Sequence, residues 1–381
     1  MNIVVLGSGM MGQAIAFDLC KYSCFNEITI IDKNTQALSS AKKFLNREKI
    51  NFLELNVEKT DEIKYLFQNY NVAISAVSYR FNYELAKIAV ETETHFLDLG
   101  GNNEIVEKEK KLFENAKKQN ITIIPDCGLA PGLTSTIARD IIERLDSVDY
   151  IRMRVGGLPI DPKSPLNYQI VFSLNGLINE FIEDSIVLDH GQIIKKRSMT
   201  DIETIMFPKP FGEMEAFLTS GGCSTLPYTY KNKVDNLDYK TIRYPGHCEK
   251  FKILLDLGLG GEKTIKIGEN EIIPRKILIY FLNKNLPKNG LDVVLLKVFS
   301  KGLKNGKKVY LDYTLIDYYD KKNNITAMMR TTGYPISIIS QMIEQGIIKK
   351  RGVFCQEEIV PPDPFFKELE KRDINIKREM K

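Results

Sequence analysis

Residues 7–12 read Gly-Ser-Gly-Met-Met-Gly; they follow an apolar run at 2–6 and open a stretch of helical periodicity at 11–20. Twenty residues past Gly12, Asp32 closes a second, β-branched run at 27–31. The spacing G-x-G-x-x-G alone is a weak signal. In the order strand, glycine turn, helix, strand, acid it constrains the chain to a βαβ unit that cradles a dinucleotide. Gly7 makes the tight turn, Gly9 admits a pyrophosphate to the backbone, and Gly12 lets helix pack on strand. The anion rests on the free N–H groups at the helix N-terminus. The competing reading is a glycine turn without a ligand. No Lys-Ser or Lys-Thr follows Gly12, so the turn is not a P-loop.

Asp32 is placed to accept the adenine ribose hydroxyls and to repel a 2′-phosphate, which favours NAD as the cofactor; the Lys33 ammonium acts in the other direction. Met10 and Met11 lie within the turn and belong to the expected cofactor site. Asn56 and Val57, after the third strand, edge the adenine. Ala76, Val77 and Ser78, after the fourth, lie near the ribose and nicotinamide, and Gly100 follows the fifth.

Strand signals recur at 50–55, 72–76, 95–97 and 121–125, with helices at 35–45, 60–67, 81–90 and 104–118. This alternation implies an α/β fold with a doubly wound parallel sheet. After a helix at 134–145 the pattern changes. Longer strands with polar alternation are expected at 150–155, 187–197 (around a His190-Gly191 turn), 237–244, 293–300 and 308–318, with a turn at 304–307. They suggest an antiparallel α+β domain carrying helices at 175–181, 249–257 and 275–281. A late helix is expected at 335–345, and Pro361-Pro362-Asp363-Pro364 starts another at 365–371. At about 150 residues per domain, 381 residues hold two or three domains.

Lys and Arg number 53 against 49 Asp and Glu, a net charge of only +4 with no long like-charge block, so no nucleic-acid partner is expected. The six Cys form no C-x-x-C pair and only three His are present, which argues against a structural zinc. No signal peptide is evident, and no apolar run reaches the roughly 20 residues that span a bilayer. A cytoplasmic protein with reduced thiols and no membrane partner is expected.

Ligands of open α/β sheets lie outside the carboxyl ends of the strands. Asp32, Asp98 and Asp126 fall there, although Asp in such places also caps the next turn. The segments GSGMMG with Asp32, DLGG at 98–101, PDCGLAPG at 125–132, VGGLP at 155–159, PLNY at 165–168, VFSLNGL at 171–177, EAFLTSGG at 215–222, YKTIRYPGH at 239–247 and TAMMRTTGY at 326–334 span nearly the whole chain. Together they resemble the saccharopine dehydrogenase-like superfamily, and within it most the L-lysine 6-dehydrogenases.

The resemblance implies a Rossmann domain at 1–130, an inserted α+β substrate-binding and dimerisation domain at 131–325, and a segment at 326–381 returning to the first domain. It implies a homodimer and an amino-acid substrate. The implied activity is NAD-dependent oxidation of the ε-amine of L-lysine to allysine and ammonia. Two alternatives stay open. One is a secondary-amine substrate, saccharopine or carboxynorspermidine, with Arg152, Arg154 or Arg330 as a second carboxylate anchor. The other is a dinucleotide-sensing protein without catalysis. Phe172-Ser173 stands where fungal-type saccharopine reductases carry Trp-Ser, and the chain has no Trp. That departure leans away from saccharopine.

Hydride loss requires a neutral amine, whose pKa when free is about 10.4, and the resulting imine requires an activated water. Asp126, Tyr168 and His247 are the candidate bases. Arg243 is a candidate fork for the substrate carboxylate, with an exposed strand-end Arg as its other reading. Asp98, and Ser224 and Thr225 at a possible helix N-terminus, are further substrate-binding candidates. Cys127, His95 and His190 read as structural.

Overall fold

The computed structural model describes residues 1–46, 50–288 and 290–381. The chain forms two compact units, Met1–Glu143 with Met329–Ile374, and Arg144–Met328 with Asn375–Lys381. The first unit therefore extends past residue 130 through most of a helix, and the last seven residues belong to the second.

In chain order the first stretch runs β1 (Asn2–Leu6), α1 (Met10–Tyr22), β2 (Glu27–Asp32), α2 (Thr35–Leu45), β3 (Ile50–Glu54), α3 (Thr60–Phe67), β4 (Val72–Ser75), α4 (Asn82–Glu91), β5 (His95–Asp98), α5 (Asn103–Lys110), α6 (Phe113–Lys118), β6 (Thr122–Ile124) and α7 (Leu133–Arg144). Then follow β7 (Ser147–Pro159), α8 (Leu174–Ile182), β8 (Ser185–Asp189), β9 (Gln192–Lys196), β10 (Glu203–Met206), β11 (Glu213–Leu218), α9 (Leu226–Thr229), β12 (Val234–Arg243), α10 (His247–Asp256), β13 (Ile265–Ile267), β14 (Asn270–Ile272), α11 (Pro274–Asn285), β15 (Asp292–Lys304) and β16 (Lys307–Tyr318). The chain ends with α12 (Ala327–Glu344), β17 (Gly352–Val353), α13 (Gln356–Ile359), α14 (Pro362–Glu370) and β18 (Lys377–Met380).

The sheet of the first unit has the order β17-β6-β5-β4-β1-β2-β3, parallel throughout. Residues 3–6 and the whole of β4 are buried, as central parallel strands covered on both faces must be. The expected α/β doubly wound fold is present, with β17 added at one edge from a segment far along the chain. The helix expected at 104–118 is two helices. The bonds Lys111 N–H to Lys108 O (3.2 Å) and Leu112 N–H to Glu109 O (2.9 Å) tighten the chain into a turn between them.

In the second unit the sheet β10-β11-β12-β7-β15-β16-β18 is mixed. An antiparallel sheet was expected, but β12 runs parallel to β7 from Val234 beside Val148 to Thr241 beside Val155. The hairpins at 189–192 and 304–307 form as the turns predict. The late helix starts at Ala327, eight residues before Pro335. The Asp292 carboxylate accepts the first free amides, Ala327 N–H at 2.7 Å and Met328 N–H at 3.0 Å, a cap that local sequence does not reveal. Among the described residues no helix is long and apolar enough to cross a membrane.

Candidate functional site

In the first unit, Gly7 has φ +102° and donates its N–H to Ile31 O at 2.8 Å. A Cβ on Gly12 would lie 1.9 Å from Gly7 O, so only glycine allows α1 to sit this close to the turn. A Cβ on Gly9 would meet nothing within 4 Å, leaving the backbone of the helix N-terminus open to a ligand. These features fit a dinucleotide pyrophosphate.

Asp32 closes the loop. Its Oδ2 accepts both Ser8 N–H (2.8 Å) and Ser8 Oγ–H (2.9 Å), and its Oδ1 accepts Asn34 N–H (2.9 Å). Lys33 pairs with Glu58 at 3.5 Å, and Arg80 stands 3.8 Å from the other oxygen of the same carboxylate. The Asn56 side chain donates to Glu58 at 3.1 Å, and this bond, followed by the Lys33 charge, holds the Glu58 carboxyl below its usual range. Met10 is exposed, while Val57 and Val77 pack against the core and Ala76 donates its N–H to Leu6 O. Met11 lies in the first turn of α1, and Ser78 follows β4.

Three carboxyl groups gather at the carboxyl ends of the central strands. Asp98 has no exposed surface; its Oδ1 accepts Gly100 N–H (2.6 Å) and Asp126 N–H (3.4 Å). Glu109 of α5 is also fully buried, and neither of its carboxyl oxygens has a hydrogen-bond partner among the described residues. Burial pushes Asp98 up to about 6, and burial together with the charges of Asp98 and Asp126 pushes Glu109 well above the usual carboxyl range. The Asn82 side chain, which helps hold the Asp98 pKa down, accepts Ser75 Oγ–H at 2.7 Å.

Asp126 sits in the left-handed region at φ +61°, and a Cβ on Gly100 would fall 1.7 Å from its Oδ1. Gly100 is thus required both for its own φ of +71° and for the space the Asp126 carboxyl fills. Glu109 was not expected from sequence. The signal available was an acid three residues after buried Val106, on the core-facing stripe of α5.

In the second unit, Tyr168, Arg243 and His247 come together as buried side chains, 1%, 3% and 1% exposed. Arg243 ends β12; its Cζ lies 5.0 Å from the centroid of the Tyr168 ring and 5.9 Å from that of Phe181. It is buried, not an exposed strand-end residue. His247 opens α10 and packs among Tyr168, Phe181, Phe217 and Phe251, with ring centroids 5.6–6.5 Å apart. Its Nδ1 meets Leu166 O at 2.9 Å, which fixes the Nδ1–H tautomer. Burial, then Arg243, depresses its pKa to about 3, and burial lifts Tyr168 to about 12. Both groups are neutral near pH 7.

Glu180 of α8, which sequence reading passed over, is half-buried beside Phe181 and feels the charge of Arg243. Burial raises it to about 7, against the lowering charge of Arg243. It stands on the flank of the buried stripe formed by Leu174, Leu177, Ile178 and Phe181.

Ser224 and Thr225 are buried, but the helix they precede, α9, is a single turn of four residues. The expected helix-terminus carboxylate site is therefore not built there. Arg154 is occupied by ion pairs with Glu203 and Asp238, and Arg330 donates to Arg372 O (3.1 Å) and Asp373 O (3.2 Å). Arg152 is exposed over the Tyr150 ring. His95 accepts Thr122 N–H at 2.9 Å, and His190 is an exposed turn residue paired with Asp189, both structural as read. Buried Cys127 has its thiol pushed up by burial.

Residues 3–124 match the family model described as saccharopine dehydrogenase NADP binding domain, and residues 128–374 the model described as saccharopine dehydrogenase C-terminal domain. The NADP(+)-dependent, L-glutamate-forming saccharopine dehydrogenase of Saccharomyces cerevisiae is 21% identical over 97% of this chain and 96% of its own length. The mitochondrial alpha-aminoadipic semialdehyde synthase of Mus musculus is 22% identical over 97% of this chain, which spans 46% of that longer protein. Among solved structures, apo saccharopine dehydrogenase from Saccharomyces cerevisiae superposes with a TM-score of 0.81 at 20% identity, covering 100% of this chain and 99% of that one. The homospermidine synthase of Legionella pneumophila, solved with NAD, gives 0.62 at 14% identity, covering 100% and 91%.

Proposed function

This chain belongs to the saccharopine dehydrogenase family, and on that premise we propose that it oxidises a carbon–nitrogen bond of an amino-acid-derived secondary amine of the saccharopine class, with a nicotinamide dinucleotide as hydride acceptor. The observation that carries this reading is the end-to-end relation to the yeast enzyme, 97% of this chain against 96% of that one.

In such a reaction the carbon bearing nitrogen loses a hydride and becomes an imine. Water adds, the carbon–nitrogen bond breaks, and a primary amine, a carbonyl compound and one proton result. The bound dinucleotide supplies the two-electron acceptor. Gly7, Gly9 and Gly12 would hold its pyrophosphate and Asp32 its adenine ribose. The choice between NAD and NADP rests on opposing side chains. Asp32 favours NAD, while Lys33 and Arg80 would welcome a 2′-phosphate once Glu58 releases them.

The chain's own residues supply proton handling and substrate anchoring. Asp126 is our candidate for the base that takes a proton from amine or water, backed by the proton retained by Asp98 and Glu109. Tyr168 and His247, both neutral, are suited to hydrogen bonding and to excluding water, not to proton release. Arg243 is the candidate anchor for a substrate carboxylate.

A second reading, oxidative deamination of the ε-amine of L-lysine with NAD, is favoured by Phe172 where fungal-type saccharopine reductases have Trp. Absorbance of reduced dinucleotide separates the readings, with saccharopine or L-lysine each offered with NAD or NADP. We expect turnover with saccharopine. Turnover with lysine alone selects the second reading. Silence with both leaves the non-catalytic dinucleotide-sensing alternative.

A further inference from the structure

Arg275 is a cation whose neighbours are mostly neutral. It lies in the first turn of α11 and is 9% exposed. Its Nε donates to Gly260 O at 2.8 Å and its Nη1 to Asn179 Oδ1 at 2.7 Å, which fixes the plane of the guanidinium. Among the described residues its one anion is Glu262, 2.6 Å from Nη1 and carried on a side chain that is 72% exposed. Nη2 donates to none of the described residues. The side chain lines a cavity of about 470 Å³ inside the second unit. Arg197 and Lys252 line it too, and they share a single acid, Asp256, at 3.3 Å and 2.6 Å. Three cations therefore meet two acids, and both acids are exposed. The remaining wall is apolar, with Phe181, Ile182 and Leu255 in it. Gly260 lets the loop lie close on that wall: a Cβ there would fall 2.6 Å from Ile182 Cδ1 and 2.8 Å from Leu255 Cδ2.

Exposed ion pairs are weak and screened by salt, so their acids yield to a better-placed anion. A guanidinium already fixed in plane loses little freedom on taking a carboxylate or phosphate. We propose that the cavity binds a small organic anion, a carboxylate or phosphate on a short aromatic or aliphatic body. The Arg275 fork takes the charged end in place of Glu262, Arg197 and Lys252 add positive charge that Asp256 only partly offsets, and the body rests on Phe181 and Leu255. The volume falls within the roughly 300–1,000 Å³ of small-molecule pockets. Tyr168, Arg243 and His247 do not line this cavity. Phe181 joins the two places, its ring centroid 5.9 Å from Arg243 Cζ and 6.0 Å from the His247 ring centroid. The site thus stands apart from the amine chemistry proposed above and does not depend on it.

The test is calorimetric titration of the full chain with phenyl phosphate, phenylacetate and benzyl alcohol, which share an aromatic body and differ in charge. At least one anion is expected to bind, about tenfold or more tighter than the alcohol. The tighter of the two anions tells phosphate from carboxylate. Glu262→Gln releases Arg275 and should tighten the anion about threefold or more. Glu114→Gln, which makes the same change of net charge on α6 of the first unit, should leave it unchanged. Arg275→Lys keeps the charge without the fork and should weaken the anion, with thermal melts to show that the variant is folded. No binding by either anion, equal binding of the alcohol, or an affinity unmoved by Glu262→Gln overturns the site. So does equal tightening in Glu114→Gln, which marks general attraction to net charge.

Discussion

Asp98 and Glu109 bury two carboxyl groups, neither with any exposed surface, and the charge of Asp98 raises the Glu109 pKa. Two such groups cannot both ionise beside each other in a dry interior, so the pair retains a proton at neutral pH. Both folded pKa values lie above the unfolded ones, Asp98 at about 6 and Glu109 well above the usual carboxyl range. The pair's contribution to stability is therefore complete below about pH 4 and declines as pH rises through 6 and beyond. Glu109→Gln removes the ionisable group. It should stabilise the protein at pH 8 by about 1–3 kcal/mol and flatten the fall in Tm between pH 5 and 8. Melts of both proteins across that range decide it; an unchanged slope counts against a retained proton.

The histidines act in the opposite direction. His95 and His247 are buried and neutral, with pKa values depressed to about 4 and about 3. Their contribution is complete above the unfolded value of about 6.5 and is lost as pH falls through 4 and then 3. Acid unfolding should take up protons at these sites and cost a few kcal/mol each, on the order of 1.4 kcal/mol per pKa unit. Replacing His247 with Gln should remove part of the acid sensitivity seen in urea midpoints between pH 7 and 4. A pH–rate profile with a limb near 6.5 that disappears in the same variant would contradict the neutral assignment.

Gly9 and Gly12 separate binding from folding. A methyl at Gly9 meets open space, whereas one at Gly12 lies 1.9 Å from the Gly7 carbonyl oxygen. Gly9→Ala should melt like wild type and bind NAD or NADP more weakly by about tenfold or more, a loss of about 1.4 kcal/mol. Gly12→Ala should lower Tm as well. Fluorescence titration of the reduced dinucleotides beside thermal melts reads both effects, and full affinity in Gly9→Ala would remove the loop from the cofactor site.

Asp32 has two jobs that one substitution can divide. Asp32→Asn keeps an acceptor for Ser8 and removes the charge. The ratio of NADPH to NADH affinity should rise about tenfold. An unchanged ratio, with both affinities intact, would restrict Asp32 to holding Ser8.

Arg372 and Asp18 form a fully desolvated ion pair at 2.7 Å, with Ser337 on the second Asp18 oxygen and Glu368 and Gln341 on the guanidinium. Arg372→Ala leaves a buried carboxylate without its cation and should cost about 3–5 kcal/mol. The double variant Asp18→Asn with Arg372→Met should recover part of that loss. Denaturant melts of the two variants against wild type are the check.

The sheet of the first unit was legible because its information is local. Each strand is a short apolar run, and Gly7, Gly12 and Asp32 stand at spacings that backbone geometry dictates. The second unit was less so. Whether β12 runs parallel or antiparallel to β7 depends on the path of the intervening chain, and the start of α12 depends on Asp292, 35 residues upstream. Asp98 and Asp126 in the first unit, and Tyr168, Arg243 and His247 in the second, were visible as residue types in marked segments. Glu180 and Glu109 were not, because an acid on a helix reads as solvated until its neighbours show that it is covered, in part at Glu180 and wholly at Glu109.

The strand β17 and the residue Arg372 lie beyond all but the last seven residues of the second unit in sequence, yet both complete the first. On a ribosome that order becomes a delay. Asp18 is made at the outset, and its cation emerges only near the end. At roughly 5–20 residues per second, the dinucleotide-binding sheet waits about ten to forty seconds for its last strand after Glu143 has been added. Throughout that interval the nascent chain presents an unpaired strand edge and an unneutralised acid, so the period of greatest exposure to aggregation and to chaperones falls during synthesis of the second unit.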